Sequence, residues 1–171
     1  MSPRKAAIDT SFFLGSLAEA SEPEGRYAET CKNIIHAAGR GYEVIIPVIV
    51  PSEYLFRAIS KAGEDKERLE SLISYFKRWL IEGRFTIFNM EEGEVWEIFD
   101  KLDFLRGKHE KHDKMIVSCA IAAECKVIFT LDGDLYRERR EIAKISYEFK
   151  GYRIDIGHPD DAEFRKKFLN G

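Results

Sequence analysis

Apolar and polar positions along the chain follow two rhythms. Short apolar runs at residues 5 to 8, 44 to 50, 84 to 88, 126 to 130 and 152 to 156 predict strands, and between them apolar residues recur at the spacing of amphipathic helices. The first run ends at Asp9, and the pattern predicts a helix over 10 to 20 with Phe13, Leu14 and Leu17 on its apolar side. Ser21-Glu-Pro-Glu-Gly25 breaks it. Cys31, Ile34, Ile35 and Ala38 then predict a helix over 26 to 39, closed by Gly39 or Gly41. The run at 44 to 50 is the most apolar, and Pro47 within it indicates a buried strand entering a turn, after which Pro51 opens another helix.

The middle of the chain is charged but periodic. Leu69, Leu72, Ile73, Phe76 and Leu80 mark one helix, and Val95, Ile98, Phe99 and Leu102 another. A turn-rich basic stretch, 106 to 112, leads into a small-residue helix over 113 to 124 with Met115, Ile116 and Cys119 on one face. Asp132-Gly-Asp134 turns into a short basic helix, and Asp160 or Asp161 caps a last helix ending near Leu169. Strands alternating with helices predict an α/β fold, a mostly parallel sheet with helices on both faces.

Four acids stand at the ends of these patterns: Asp9, Glu53, Asp113 and Asp132. In such a fold strand exits gather along the carboxyl edge of the sheet, where open parallel sheets place their binding crevices. Clustered carboxylates suit Mg²⁺ or Mn²⁺, hard ions that bind oxygen and keep positions open for phosphate. Each acid alone has a plainer role, since Asp caps helices and Glu favours their first turn at about 1 kcal/mol or less. Capping does not explain the hydroxyls beside three of the stations, namely Thr10 with Ser11, Ser52, and Thr130, which suit residues that orient carboxylates.

Composition narrows the field. A length of 171 residues with 44% hydrophobic content suits one domain with a sizeable core. The net charge of -3 gives no global attraction to nucleic acid, so any such contact is local. Cys31, Cys119 and Cys125 are odd in number and lack metal spacing, which indicates buried thiols in a reducing cytoplasm. No apolar run reaches the length of a membrane span, so a soluble cytoplasmic protein is expected, and the Lys- and Glu-rich, Gln-free composition resembles that of proteins from hot environments. A phosphate-binding glycine loop and a G-x-S-x-G elbow are absent, and Asp9-Thr-Ser11 lacks the second Asp of a D-x-D phosphotransferase.

The segments Ile-Asp-Thr-Ser-Phe-Phe at 8 to 13, Ile-Pro-Val-Ile-Val-Pro-Ser-Glu at 46 to 53, His-Asp-Lys-Met-Ile-Val-Ser-Cys-Ala at 112 to 120 and Val-Ile-Phe-Thr-Leu-Asp-Gly-Asp-Leu at 127 to 135 together resemble the motifs of PIN-domain ribonucleases, including VapC-type toxins. The resemblance spans residues 5 to about 157. It implies a three-layer α/β/α sandwich, a Mg²⁺ or Mn²⁺ cofactor, and endonucleolytic cleavage of RNA. By position, Asp9 and Asp113 would be the principal metal ligands and Glu53 would complete the pocket. Asp132 would be the last acid, with Asp134 as its substitute. Thr130 would orient that last turn, and Ser11 or Thr10 would bond a neighbouring carboxylate. The resemblance further implies a homodimer and, for a toxin, a small antitoxin whose segment blocks the pocket. The chain departs from compact toxins in a longer middle region, 64 to 104, and a tail beyond Tyr136.

Several signals stay secondary. Lys108, Lys111 and Lys114 surround Asp113, and Arg137, Arg139 and Arg140 follow Asp132; these are expected either as a solvated face or as phosphate contacts for RNA, with Lys114 and Arg137 nearest the acids. His109-Glu-Lys-His112 has the wrong spacing for a zinc protease and reads as loop. Phe76, Trp79 and Trp96 fit a core or a subunit interface. The rival to a nuclease is a PIN-fold RNA-binding scaffold that keeps the acidic pocket without cutting.

Overall fold

In a computed structural model, which describes residues 4–82, 85–89, 91, 93–106 and 110–169, the apolar runs form one sheet. Its strands are β1 (Arg4–Ile8), β2 (Tyr42–Pro47), β3 (Phe85–Phe88), β4 (Cys125–Phe129) and β5 (Asp155–Gly157), in the order β3-β2-β1-β4-β5. Every pairing is parallel, with Ala6 opposite Val44 and Val127, and Ala7 opposite Ile45 and Ile128. Strands covered on both faces have no polar side to show, which is why they read as continuous apolar runs.

The helices are α1 (Thr10–Gly15), α2 (Ala28–Gly41), α3 (Ile49–Ala62), α4 (Lys66–Ile81), α5 (Gly93–Lys101), α6 (Glu110–Ala122), α7 (Gly133–Arg137), α8 (Arg139–Lys150) and α9 (Ala162–Leu169). Right-handed crossovers set α1 to α4 on one face and α5 to α8 on the other. The contacts agree: α1 packs on α2 and α3, α3 on α4, and α9 on α2, while α5, α6 and α8 pack together. The result is a three-layer α/β/α sandwich.

Several boundaries differ from the sequence reading. The helix expected over 10 to 20 ends at Gly15 because the chain tightens into three-residue turns, Leu17 N–H to Leu14 O and Ala18 N–H to Gly15 O, both at 3.1 Å. A 3-10 turn over Pro23–Tyr27 follows. The run at 44 to 50 is strand only as far as Pro47, and α3 opens at Ile49 with Pro51 in its first turn. α6 opens at Glu110, so His112 is helical rather than part of a loop. α8 lay unrecognised within the tail, although Ile142 and Ser146 face inward at helical spacing. The last strand is shorter than expected. Asp161 rather than Asp160 caps α9, its Oδ1 accepting from the N–H groups of Glu163 at 2.9 Å and Phe164 at 3.1 Å.

One aromatic seam ties the layers together. Phe13 meets Phe76 edge-on at 5.1 Å, Tyr54 stacks on Phe76 at 4.3 Å, and Trp79 stacks on Phe85 at 5.2 Å. The Tyr54 hydroxyl donates to the Leu72 carbonyl at 2.7 Å, so α3 and α4 are joined by a buried hydrogen bond as well as by apolar area. On the same face, toward β5, Phe164 of α9 packs on Phe129 at 5.5 Å. It sits where a side chain on Gly157 would have to be, so only glycine permits that approach.

Candidate functional site: the acidic carboxyl edge

The sheet ladder continues one residue past the strands and fixes the strand exits. The Asp9 N–H donates to the Phe129 carbonyl at 3.0 Å, and the Thr130 N–H to the Gly157 carbonyl at 3.1 Å. Because α6 ends just before β4 begins, it runs back along the sheet and brings its first turn, with Asp113, to the same edge. Asp9, Glu53, Asp113 and Asp132 all come to this edge from separate elements.

Asp9 is 5% exposed and occupies the N-cap position of α1, yet its side chain makes no capping bond. Its Oδ2 instead accepts from the Ser11 hydroxyl at 2.5 Å and the Thr130 hydroxyl at 2.7 Å. Both hydroxyls have their direction set by backbone: Ser11 Oγ accepts from Leu131 N–H and Thr130 Oγ1 from Asp132 N–H, each at 2.9 Å. Their protons are thereby aimed at Asp9. Burial is the largest influence on this carboxyl and raises its pKa, the two hydroxyls oppose that rise, and the charges of Glu53 and Asp132 add to it.

Glu53 lies beyond the first turn of α3, so the capping explanation fails for it too. It is buried, and both oxygens are engaged: Oε2 accepts from the Thr10 hydroxyl at 2.7 Å, and Oε1 pairs with the Arg57 guanidinium at 2.6 Å. His112 Nδ1 stands 3.7 Å from the same Oε1. Asp132 does cap its helix, Oδ1 accepting from Asp134 N–H at 2.7 Å and Leu135 N–H at 3.1 Å. Asp134 pairs with Arg137 at 2.9 Å on the surface.

Asp113 reports how closely these charges crowd. Burial, followed by the charges of Asp132, Asp9, Glu53 and Asp134, pushes its carboxyl from 3.8 up to about 8. Near neutral pH the edge therefore keeps a proton where a free carboxylate would have none. Its donors are all carboxylate oxygens, the set that suits Mg²⁺ or Mn²⁺. Among the described residues, however, no group of three or more His, Cys, Asp or Glu side chains is already arranged around a metal position. Arg57 and Thr10 instead engage Glu53, and Arg137 pairs with Asp134 on the surface.

Other candidates fall elsewhere. Lys114, expected near substrate, is buried and clamped by Asp103 and Glu110, each at 2.9 Å, because α5 packs against α6. Ser52 is exposed and donates to the Ile49 carbonyl within its own helix, away from the acids. Lys108 and His109 lie outside the described residues. Phe76 and Trp79 are core, and Trp96 is about half exposed. Cys31, Cys119 and Cys125 are free, buried thiols. Arg57 was missed, although its position four residues after Glu53 on a helix is the spacing at which such pairs meet.

An all-parallel sheet with crowded carboxylates at its carboxyl edge defines an α/β protein with an acidic strand-exit edge. The sequence matches the PIN domain over residues 6–141, and the chain belongs to the PIN-domain family, whose members are generally nucleases. No curated protein matches it in sequence. Among solved structures it is similar to a chain of VapBC2 from Rickettsia felis, bound to a DNA fragment from their promoter, with a TM-score of 0.60 and 15% identity over 91% of this chain and 99% of that one. At that identity the likeness is one of fold.

Proposed function

We propose that the protein is a Mg²⁺- or Mn²⁺-dependent endoribonuclease whose pocket is formed by Asp9, Glu53, Asp113 and Asp132. The observation that carries this reading is the convergence of four acids from separate elements on one sheet edge, where burial first, and then the charges of Asp132, Asp9, Glu53 and Asp134, push Asp113 up to about 8. A bound divalent ion would supply an activated water and neutralise the leaving oxygen. Asp9 and Asp113 would hold it, with Asp132 contributing the oxygen that does not cap α7. Ser11 and Thr130 keep Asp9 in one orientation and favour its ionised form. Arg137, beside Asp134, would meet a phosphate at this edge.

The test is cleavage of a mixed RNA pool with Mn²⁺, with EDTA, and by the Asp9→Asn and Asp113→Asn variants. Loss in all three altered conditions supports the reading. One observation favours a second reading, a scaffold that binds RNA without cutting it: Glu53 is already paired with Arg57, which leaves one acid fewer for an ion. RNA binding without turnover, unchanged in Asp113→Asn, would select that alternative.

A toxin role and a homodimer belong to the same proposal. Val48, Leu55, Phe56 and Ile59 form an exposed apolar stripe along α3, with Phe56 75% exposed. We assign that stripe to a second copy of this chain, and assign the acidic pocket to an antitoxin segment carrying a cation. Three reduced, buried thiols are consistent with a cytoplasmic setting.

A further inference from the structure

A cavity of about 530 Å³ opens at the β5 edge of the sheet, between α8 and α9, and none of the four acids lines it. Arg139, Arg140 and Lys144 reach it from α8 and Arg153 from the turn before β5, over an apolar floor that includes Ile156 and Phe164. We propose that this cavity is a second nucleic-acid contact, a clamp that holds the phosphodiester backbone of single-stranded RNA. The RNA identity rests on the ribonuclease reading above.

A basic surface is usually only solvated, and the pairing pattern argues otherwise here. Lys144 is neutralised by Glu141 at 2.7 Å, and Lys167 by Asp155 at 3.2 Å. Two further acids line the cavity, Glu163 and Asp161; Asp161 caps α9, accepts from the Tyr136 hydroxyl at 2.9 Å and stays ionised, its carboxyl held low by those bonds and by the charge of Arg139. Among the described residues, Arg140 and Arg153 have no hydrogen bond or ion pair, although both line the cavity. Bases outnumber acids in the lining, and two guanidinium forks without a direct partner at one concave site match paired phosphates, which accept bidentate hydrogen bonds from arginine. The location fits as well. Asp132 caps the five-residue helix α7, and Arg139 begins the next helix, so the cavity starts one short helix along the chain from the acidic edge. A strand leaving the pocket would pass along it.

The experiment is fluorescence anisotropy of a labelled single-stranded RNA of random sequence, titrated in EDTA so that nothing is cut, across a salt series. Arg140→Ala with Arg153→Ala is expected to weaken binding about tenfold and to reduce the salt slope by about 1.4, from about 0.7 for each lost phosphate contact on a single strand. A control double, Lys77→Ala with Arg78→Ala on α4, removes the same charge and should change neither quantity. Wild-type affinity and slope in the cavity double overturn the proposal, as does an equal loss in the control or no salt-dependent binding by wild type. The nuclease reading fails separately: a wild type that never cuts RNA, but whose binding depends on both arginines, keeps the clamp and loses the enzyme.

Discussion

Asp113→Asn tests the crowded carboxylate edge without disturbing the core. With no cation bound, the Asp113 carboxyl is raised from 3.8 to about 8, first by burial and then by the charges of Asp132, Asp9, Glu53 and Asp134. Between roughly pH 4 and pH 8 the folded protein therefore holds a proton that the unfolded chain has released, and linkage makes stability fall as the pH rises through that window. The whole shift corresponds to about 6 kcal/mol. Asp113 is only partly buried by its surface exposure, and solvent screening leaves about 2 kcal/mol to be read. Asparagine does not ionise, so the variant should match wild type near pH 4 and exceed it increasingly up to pH 8. There the gain should be roughly 4–8 °C in Tm for a chain of this size. Thermal melts in metal-free buffer from pH 4 to 9 measure the gap, and Mn²⁺ should reverse it by stabilising wild type more than the variant. A gap that does not change with pH, or a wild type more stable than the variant at pH 8 without metal, would refute the argument.

The remaining predictions concern the residues that hold the acids and the exposed stripe. Ser11→Ala with Thr130→Val removes both hydroxyl donors from Asp9, so burial acts on it unopposed. The pH midpoint for Mn²⁺ binding should move to higher pH, and an unchanged midpoint would discard their role. Arg57→Ala strips the counter-ion from a Glu53 side chain only 6% exposed and should lower stability by about 1–3 kcal/mol. Mn²⁺ should recover most of that loss where the ion takes Glu53 and none of it where it does not, which calorimetry with and without the ion will show. Phe56→Glu with Ile59→Glu places charge on the α3 stripe and should convert a dimer to a monomer in sedimentation equilibrium, and a wild type already monomeric at high concentration removes the self-interface.

Much of the fold is written in the chain because its strands are buried on both faces. β2 and β4 read as apolar runs for the same reason that they sit near the centre of a parallel sheet. Helix ends were less legible. α1 stops at Gly15 because of local three-residue turns, which hydrophobic spacing does not encode. α8 was hidden by its many charges, since only a narrow stripe that includes Ile142 and Ser146 faces inward. In the site, the acids and hydroxyls were visible as residue types beside strand exits, but their pairing was not. Thr10 bonds Glu53, 43 positions away, and Thr130 bonds Asp9, 121 positions away; only the register of the sheet brings such partners together.

The capping and catalytic readings of the acids turn out not to compete. Asp132 gives one oxygen to the start of α7, a role that also fixes where its other oxygen can be. Asp9 and Glu53 cap nothing, and the groups that hold them are hydroxyls and one guanidinium. On the proposed reading, a divalent ion that uses Glu53 must take Oε1 from Arg57. Ion binding then carries the cost of an internal ion pair, about 1 kcal/mol for a pair that keeps one partner partly in solvent, which weakens the apparent affinity by roughly fivefold. An ion that binds through Asp9, Asp113 and Asp132 alone avoids that cost and leaves the Glu53 to Arg57 pair intact. The two arrangements separate in Arg57→Gln, which tightens Mn²⁺ binding in the first and leaves it unchanged in the second.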